Sequence, residues 1–409
     1  MASLPLDDST NARRWLRQYR NELGLIVAIL IVIGTTMCFD GSYWQKPGYN
    51  AQEIARQSAL LGIFALGAGI VIISGGIDLS SGSVITFSGS ICALVMLLLA
   101  PTDDRGTPDT SQLGVAAIAL AITASLIAGL LIGSLHAWLI TCVGLPAFVA
   151  TLASLVGLRS LAKVLNQEVT RRCFDSESAK INLNNQAFGD LGQLWWPPVL
   201  IFLTLGALAW LLMGRTVVGR HLHAMGGNEQ AARLSGIRTD RLKWLAYVLG
   251  AVTASIAGVL YTAEVGSVDP QTQARGYELN AIAAAVVGGC SLQGGVGQIP
   301  GIMLGVLFLR VVIDAVAKVV GSGSDDYEGL IVGFLVVLAV AFNELRRFGV
   351  SRSKQFFPGM LGWIAVFILA LLAGLVGTLT IGNVAGWIAF AAVALALVFV
   401  KTLETRAVR

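Results

Sequence analysis

Asp78 sits in the stretch ISGGIDLSSG (residues 73–82), between two apolar segments at 54–72 and 83–100. A carboxylate there has two chemistries open to it. It can accept hydrogen bonds from donor groups of a substrate, or it can cap a helix starting near Ser80, where free N–H groups and the positive helix end favour an anion. The two are compatible if that helix end faces a path. Arg310, Asp314 and Lys318, spaced i, i+4 and i+8, fall on one helix stripe. They are expected to neutralise one another, with Lys318 reaching toward the outer face. Asp78 and Asp314 are also the acids on which an ion-coupled mechanism would draw, since ionisable groups inside apolar spans are costly.

Other candidates carry less. Arg159 and Lys163 share a face of 146–165 and are expected near its outer end. His136 is alone in an apolar span, which favours packing over ligation. His221 and His223 lie in a basic loop without a cysteine or carboxylate cluster, so no metal is expected. No G-x-x-x-x-G-K-[ST] occurs, so the chain is not expected to bind ATP itself. GGVGQIPG (294–301) lacks the spacing of a dinucleotide fingerprint, and no nucleophile–base pair appears; an enzyme is not expected. Cys38, Cys92, Cys142, Cys173 and Cys290 form no C-x-x-C pair and read as small buried hydrophobes.

Composition says what positions these residues. Of 409 residues, 55% are hydrophobic and 13% charged, against about 25% charged in a soluble domain. The chain is therefore read as an all-α polytopic membrane protein, and nothing in it suggests a nucleic-acid partner. Spans of roughly 20 apolar residues fall at 23–39, 54–74, 82–100, 113–140, 146–165, 197–213, 243–263, 279–289 (short), 299–320 and 329–345, with two more at 359–376 and 382–400. Residues 1–22 are a basic N-terminus read as cytoplasmic, followed by an uncleaved first span. The loops at 101–112 and 321–329 are acidic, whereas 214–243, 344–354 and the tail are basic, so both termini are expected in the cytoplasm.

A second stretch echoes the first. Both Gly75–Gly82 and Gly288–Gly295 fit GG-x-[DS]-L-x-x-G, each after a small-residue apolar segment and before a long apolar helix. Glycine-interrupted spans at corresponding positions mark transport sites built from broken helices, tolerated at membrane depth only where they are buried in protein or line a path. The expected organisation is about ten core helices (23–349) in two pseudo-repeats, 23–213 and 243–349, joined by a loop at 214–242, with residues 350–409 as an extension. Whether the repeats are parallel or inverted stays open. Candidate path residues are Gly75, Gly76, Asp78, Ser80, Gly288, Gly289, Ser291 and Gly294, with Asp78 or Ser291 at a helix start.

The loop holds GGNEQAARLSGI (226–237). Asn228 suits an N-cap, Glu229 the first turn and Gly236 the C-terminal cap. So short a helix needs a surface to lie on: the protein's own spans, or a cytoplasmic partner to which Glu229, Arg233 and Leu234 are presented. The stretches 219–263, 276–307 and 73–83 closely resemble the permease subunits of ribose/xylose-type ABC sugar importers, a resemblance covering roughly 20–348. It implies a homodimeric or paired subunit of the bacterial inner membrane. It also implies a monosaccharide delivered by an extracytoplasmic binding protein, and coupling through Asn228, Glu229, Arg233, Leu234 and Gly236 to an ATPase subunit that holds ATP and Mg. Ser81 stands where valine is usual, and most members lack 350–409. The competing reading is an ion-coupled secondary transporter using Asp78 or Asp314; a membrane enzyme or scaffold has no supporting motif.

Overall fold

The computed structural model describes residues 20–39, 41–102, 106–320, 328–335, 337, 359–380 and 383–408. They fall in two compact units, Met1–Val340 and Ala341–Arg409.

In the first unit the elements run α1 (Arg20–Phe39), α2 (Ser42–Gln45), α3 (Pro47–Ile73), α4 (Ser81–Leu99), α5 (Val115–Thr141), α6 (Ala147–Phe174), β1 (Ile181–Asn182), α7 (Gln186–Gln193), α8 (Trp196–Arg215), α9 (Val217–Gly227), α10 (Glu229–Leu234), α11 (Thr239–Val265), β2 (Ser267–Val268), α12 (Tyr277–Val287) and α13 (Ile299–Val320). Among the described residues eight helices are long and apolar enough to cross a membrane: α1, α3, α4, α5, α6, α8, α11 and α13. α12 has 11 residues, about 16 Å at 1.5 Å per residue, too short to cross alone. Most of the expected span 329–345 lies outside the described residues.

Three helices form the interior. α3 is 89% buried and α4 and α11 72% each over their apolar windows, whereas α1, α5 and α6 are at 28% or less and turn leucines outward. The inner helices approach through small residues, as helices do where lipid gives apolar packing little advantage. A Cβ on Gly67 of α3 would stand 2.9 Å from the Gly250 Cα of α11, and one on Gly89 of α4 would stand 3.1 Å from the Gly258 carbonyl of α11.

At one end of the bundle a small polar cap joins distant segments. β1 and β2 pair antiparallel, Ile181 opposite Val268 and Asn182 opposite Ser267. Asn185 caps α7 through Phe188 N–H, while its own amide donates to the Thr110 and Leu113 carbonyls. Nearby, hydrogen bonds from the side chain and amide of Ser111, and from Gln112, hold the Asp109 carboxyl below the usual range. This ladder and α7 fall where the sequence suggested only a loop; strands of two residues have no readable alternation.

α6 runs nine residues past the expected end of its span, to Phe174. Arg159 therefore sits mid-helix rather than near an outer end, donating to the carbonyls of Pro270, Gln273 and Ala274. The Arg310–Asp314–Lys318 stripe also differs from expectation. Lys318 pairs with Asp314 at 3.2 Å, but Arg310 turns to Gln57 of α3 at 2.5 Å. Asp314 additionally accepts from Tyr43, over whose ring Lys318 lies. Arg310 is one turn deeper, and the polar face of α3 reaches it first. All five cysteines are free.

The second unit holds α14 (Gly359–Thr380) and α15 (Asn383–Val408). They pack as an antiparallel pair, Gly374 against Phe390 and Trp363 beneath the Lys401 ammonium at 4.8 Å.

Candidate functional site

The helix breaks follow from local chemistry. α3 ends at Ile73, where Gly75 takes a left-handed conformation (φ +86°) that closes the helix and turns the chain. The amides of Ser74, Gly75 and Gly76 still donate back into α3, to the Ile70, Ile72 and Val71 carbonyls, and Asp78 Oδ1 then accepts from the Ser80 amide (2.8 Å) and hydroxyl (2.6 Å). Ser80 occupies the N-cap position of α4 without a side-chain cap bond, so Asp78 orders the approach to the helix rather than capping its first turn. Asp78 and Ser80 are buried.

The second break differs in detail. Gly288 ends α12 and packs on α13, where a Cβ would meet the Gly301 carbonyl carbon at 2.7 Å. Gly289 and Gly294 take left-handed conformations, and Ser291 N–H closes a loop onto the Val296 carbonyl. The Ser291 hydroxyl accepts from the Gln293 amide, eight residues before α13 begins, so Ser291 is not at a helix start. A loop eleven residues long separates Val287 from Ile299, and this distance was masked by the motif's resemblance to the tighter first break.

The two breaks meet. The Gly295 amide donates to the Ile73 carbonyl at 2.9 Å. A Cβ on Gly294 would stand 2.7 Å from the Gly75 Cα, and one on Gly75 would stand 3.2 Å from the Gly226 Cα. α3 and α12 approach this junction in the same direction, since Phe64 stacks on Tyr277 at 6.1 Å further up both helices. Gly226 belongs to α9, so the loop read as a docking element touches both breaks.

The 226–237 stretch divides at Asn228. α9 ends at Gly227, and the Asn228 side chain caps α10 by accepting from Ala231 N–H at 3.0 Å. Gly236 (φ +83°) closes its other end. Glu229 pairs with Arg233 (3.2 Å) and Lys243 (2.7 Å), and Arg233 also with Asp240 (3.3 Å). Leu234 is 90% exposed. His223 of α9 bridges the Gly219 and Gly297 carbonyls, a structural role.

A cavity of about 420 Å³ lies in the angle between the first break and α10, bounded by Gly75, Gly76, Asn228, Glu229, Lys243 and Tyr247. A second, of about 500 Å³, is lined by Arg275, Tyr277, Asn280 and Glu328. Tyr247, Gly226 and Gly250 were not singled out from sequence. A tyrosine inside an apolar helix, or a glycine in any helix, carries no local mark of the segment it will face.

Broken helices inside a bundle of membrane-length helices, held against a capped polar loop, define a membrane permease. The chain belongs to the family described as "Branched-chain amino acid transport system / permease component", matched over residues 50–340. It is 32% identical over 344 residues to the ribose import permease protein RbsC of Escherichia coli (strain K12), covering 82% of this chain and 96% of that protein. It is 34% identical over 230 residues to the autoinducer 2 import system permease protein LsrC of Yersinia pestis, covering 56% of this chain and 63% of that one. No solved structure matches it.

Proposed function

We propose that the chain is the membrane-spanning subunit of an ATP-driven importer in the bacterial inner membrane, moving a monosaccharide handed over by an extracytoplasmic binding protein. ATP and Mg are held by a separate ATPase subunit, which docks on α10, and the chain itself catalyses no reaction. Both termini and the 214–243 loop face the cytoplasm, and the permease works as a homodimer or paired with a second permease. The likeness to a ribose import permease supports a sugar as cargo.

The observation that carries the docking is Leu234. A six-residue helix has little stability in water, yet this one is capped, closed by a left-handed glycine and tied by ion pairs to α11. That reinforcement ends in a leucine 90% exposed beyond the bundle. An apolar side chain held out on a stiff polar mount suits a groove on a partner. For the ion-coupled alternative Asp314 is poorly placed, being committed to Lys318 and Tyr43.

The test replaces Glu229 and Arg233 together by alanine. The expected result is a folded protein that no longer co-purifies with its ATPase subunit and takes up no sugar. Full uptake in the absence of any ATPase subunit refutes the proposal and favours ion coupling.

A further inference from the structure

Beside the first break, three buried polar groups from three segments converge with atoms that no described residue satisfies. Asp78 is 3% exposed; its Oδ1 serves Ser80, and its Oδ2 faces Gly250, where a Cβ would stand 3.6 Å away. Among the described residues no cation pairs with it. His136 of α5 is fully buried: Nε2 lies 2.7 Å from the Ser154 hydroxyl, and Nδ1 has no partner among the described residues. Tyr247 of α11 is 2% exposed and meets the His136 ring edge-on at 6.5 Å. Its hydroxyl lies by the Ile77 amide outside hydrogen-bond geometry and has no other partner among the described residues. Asp78 is the charge acting on both rings.

Burying unsatisfied polar atoms is expensive, and a cluster of them is rarer still. A glycine leaves room at the phenol of Tyr247. Gly76 is the residue against Tyr247, where a Cβ would come within 2.6 Å of the hydroxyl. Gly76 and Tyr247 together wall the 420 Å³ cavity that reaches the docking helix. Tyr247 is eight residues into α11, about 12 Å from its start, so the cluster lies about two turns into the bundle from the end that carries α10.

We infer that Asp78, His136 and Tyr247 form a hydroxyl-binding subsite that takes a vicinal diol of a neutral sugar at the inner end of its path, an inference that rests on the importer reading. One sugar hydroxyl donates to Asp78 Oδ2, and its neighbour accepts from the Tyr247 phenol. His136 Nδ1 completes the ring of contacts, as donor or acceptor according to the tautomer Ser154 sets. An anionic cargo is disfavoured, because Asp78 has no counter-ion to shield it. The passing sugar satisfies the atoms that the resting protein leaves unpaired.

The test uses the complete transporter, with its ATPase and binding protein, in proteoliposomes. From a panel of aldopentoses and aldohexoses, the sugar taken up fastest by wild type is compared with each of its monodeoxy analogues. Tyr247→Phe is expected to cut the preference for the parent sugar over one particular analogue about tenfold, the worth of one hydrogen bond, leaving the other ratios unchanged. His136→Gln is read the same way. Because the binding protein is identical in every arm, its own selectivity cancels. Equal slowing of all substrates means a structural role and overturns the subsite. A second measurement needs no variant: the wild-type complex, vanadate-trapped with that sugar, is expected to show it within hydrogen-bond distance of Tyr247 Oη, and sugar bound only elsewhere overturns the inference. If wild type with its ATPase takes up no monosaccharide, the importer reading itself fails, and the subsite with it.

Discussion

Gly226→Ala tests whether the meeting of the two breaks is a rigid junction. A methyl group at this position is driven into the Ile73 carbonyl and comes within 2.6 Å of the Gly295 amide. Those two groups share the 2.9 Å hydrogen bond that joins the breaks. Both obstacles are backbone, so no side-chain rotation relieves the clash, and one of the segments has to move. Overpacking of this kind costs about 1–3 kcal/mol, and losing the bond adds about 1 kcal/mol, giving about 2–4 kcal/mol in all. The assay is thermal unfolding of the purified protein in detergent. Gly227→Ala is the control, since nothing lies within 4 Å of its Cβ. Gly226→Ala is expected to unfold several degrees below the control. If the two variants unfold together, the junction is loose and the reasoning fails.

Asn228→Ala removes the cap on α10 and is expected to cost about 1 kcal/mol locally, read as faster amide exchange at Ala231 with the bundle's unfolding temperature unchanged. Lys318→Met strands Asp314 and removes both the cation over Tyr43 and the bond to Asn50. At about a fifth exposed, the pair is partly screened, so a loss of roughly 1–3 kcal/mol is expected. Asp314→Asn, which keeps an acceptor for Tyr43 and leaves no stranded anion, is expected to cost less in the same melting assay.

Much of this bundle was legible in the sequence because its helices must each satisfy their own backbone within an apolar run. Composition finds such runs, and the expected spans 299–320 and 82–100 fall within one residue of α13 and α4. Where polarity rises the reading fails. The last turns of α6, with Glu168, Arg171 and Arg172, look like loop yet continue the helix on local ion pairs. The site divides in the same way. Asn228 and Gly236 announce themselves, because a cap is a local event. The glycine breaks announce themselves as interruptions, but not what they touch. That Gly75 meets Gly294 and Gly226, and that Gly76 packs against Tyr247, are long-range contacts with no trace in any single segment. Ser291 shows the opposite hazard: a matching motif hid a longer loop.

Where the breaks and the 214–243 loop touch, the contact is main chain against main chain, through Ile73, Gly75, Gly226, Gly294 and Gly295. No side chain stands between them to flex, change rotamer or take up slack. Close-packed interiors pass strain on rather than absorb it, and here the packing has no compliant layer at all. A shift of α9 by more than a few tenths of an ångström is therefore carried into the ends of α3 and the 288–298 loop together. The junction behaves as a pinned joint: the loop and the two breaks move as one body, and none can be reset alone.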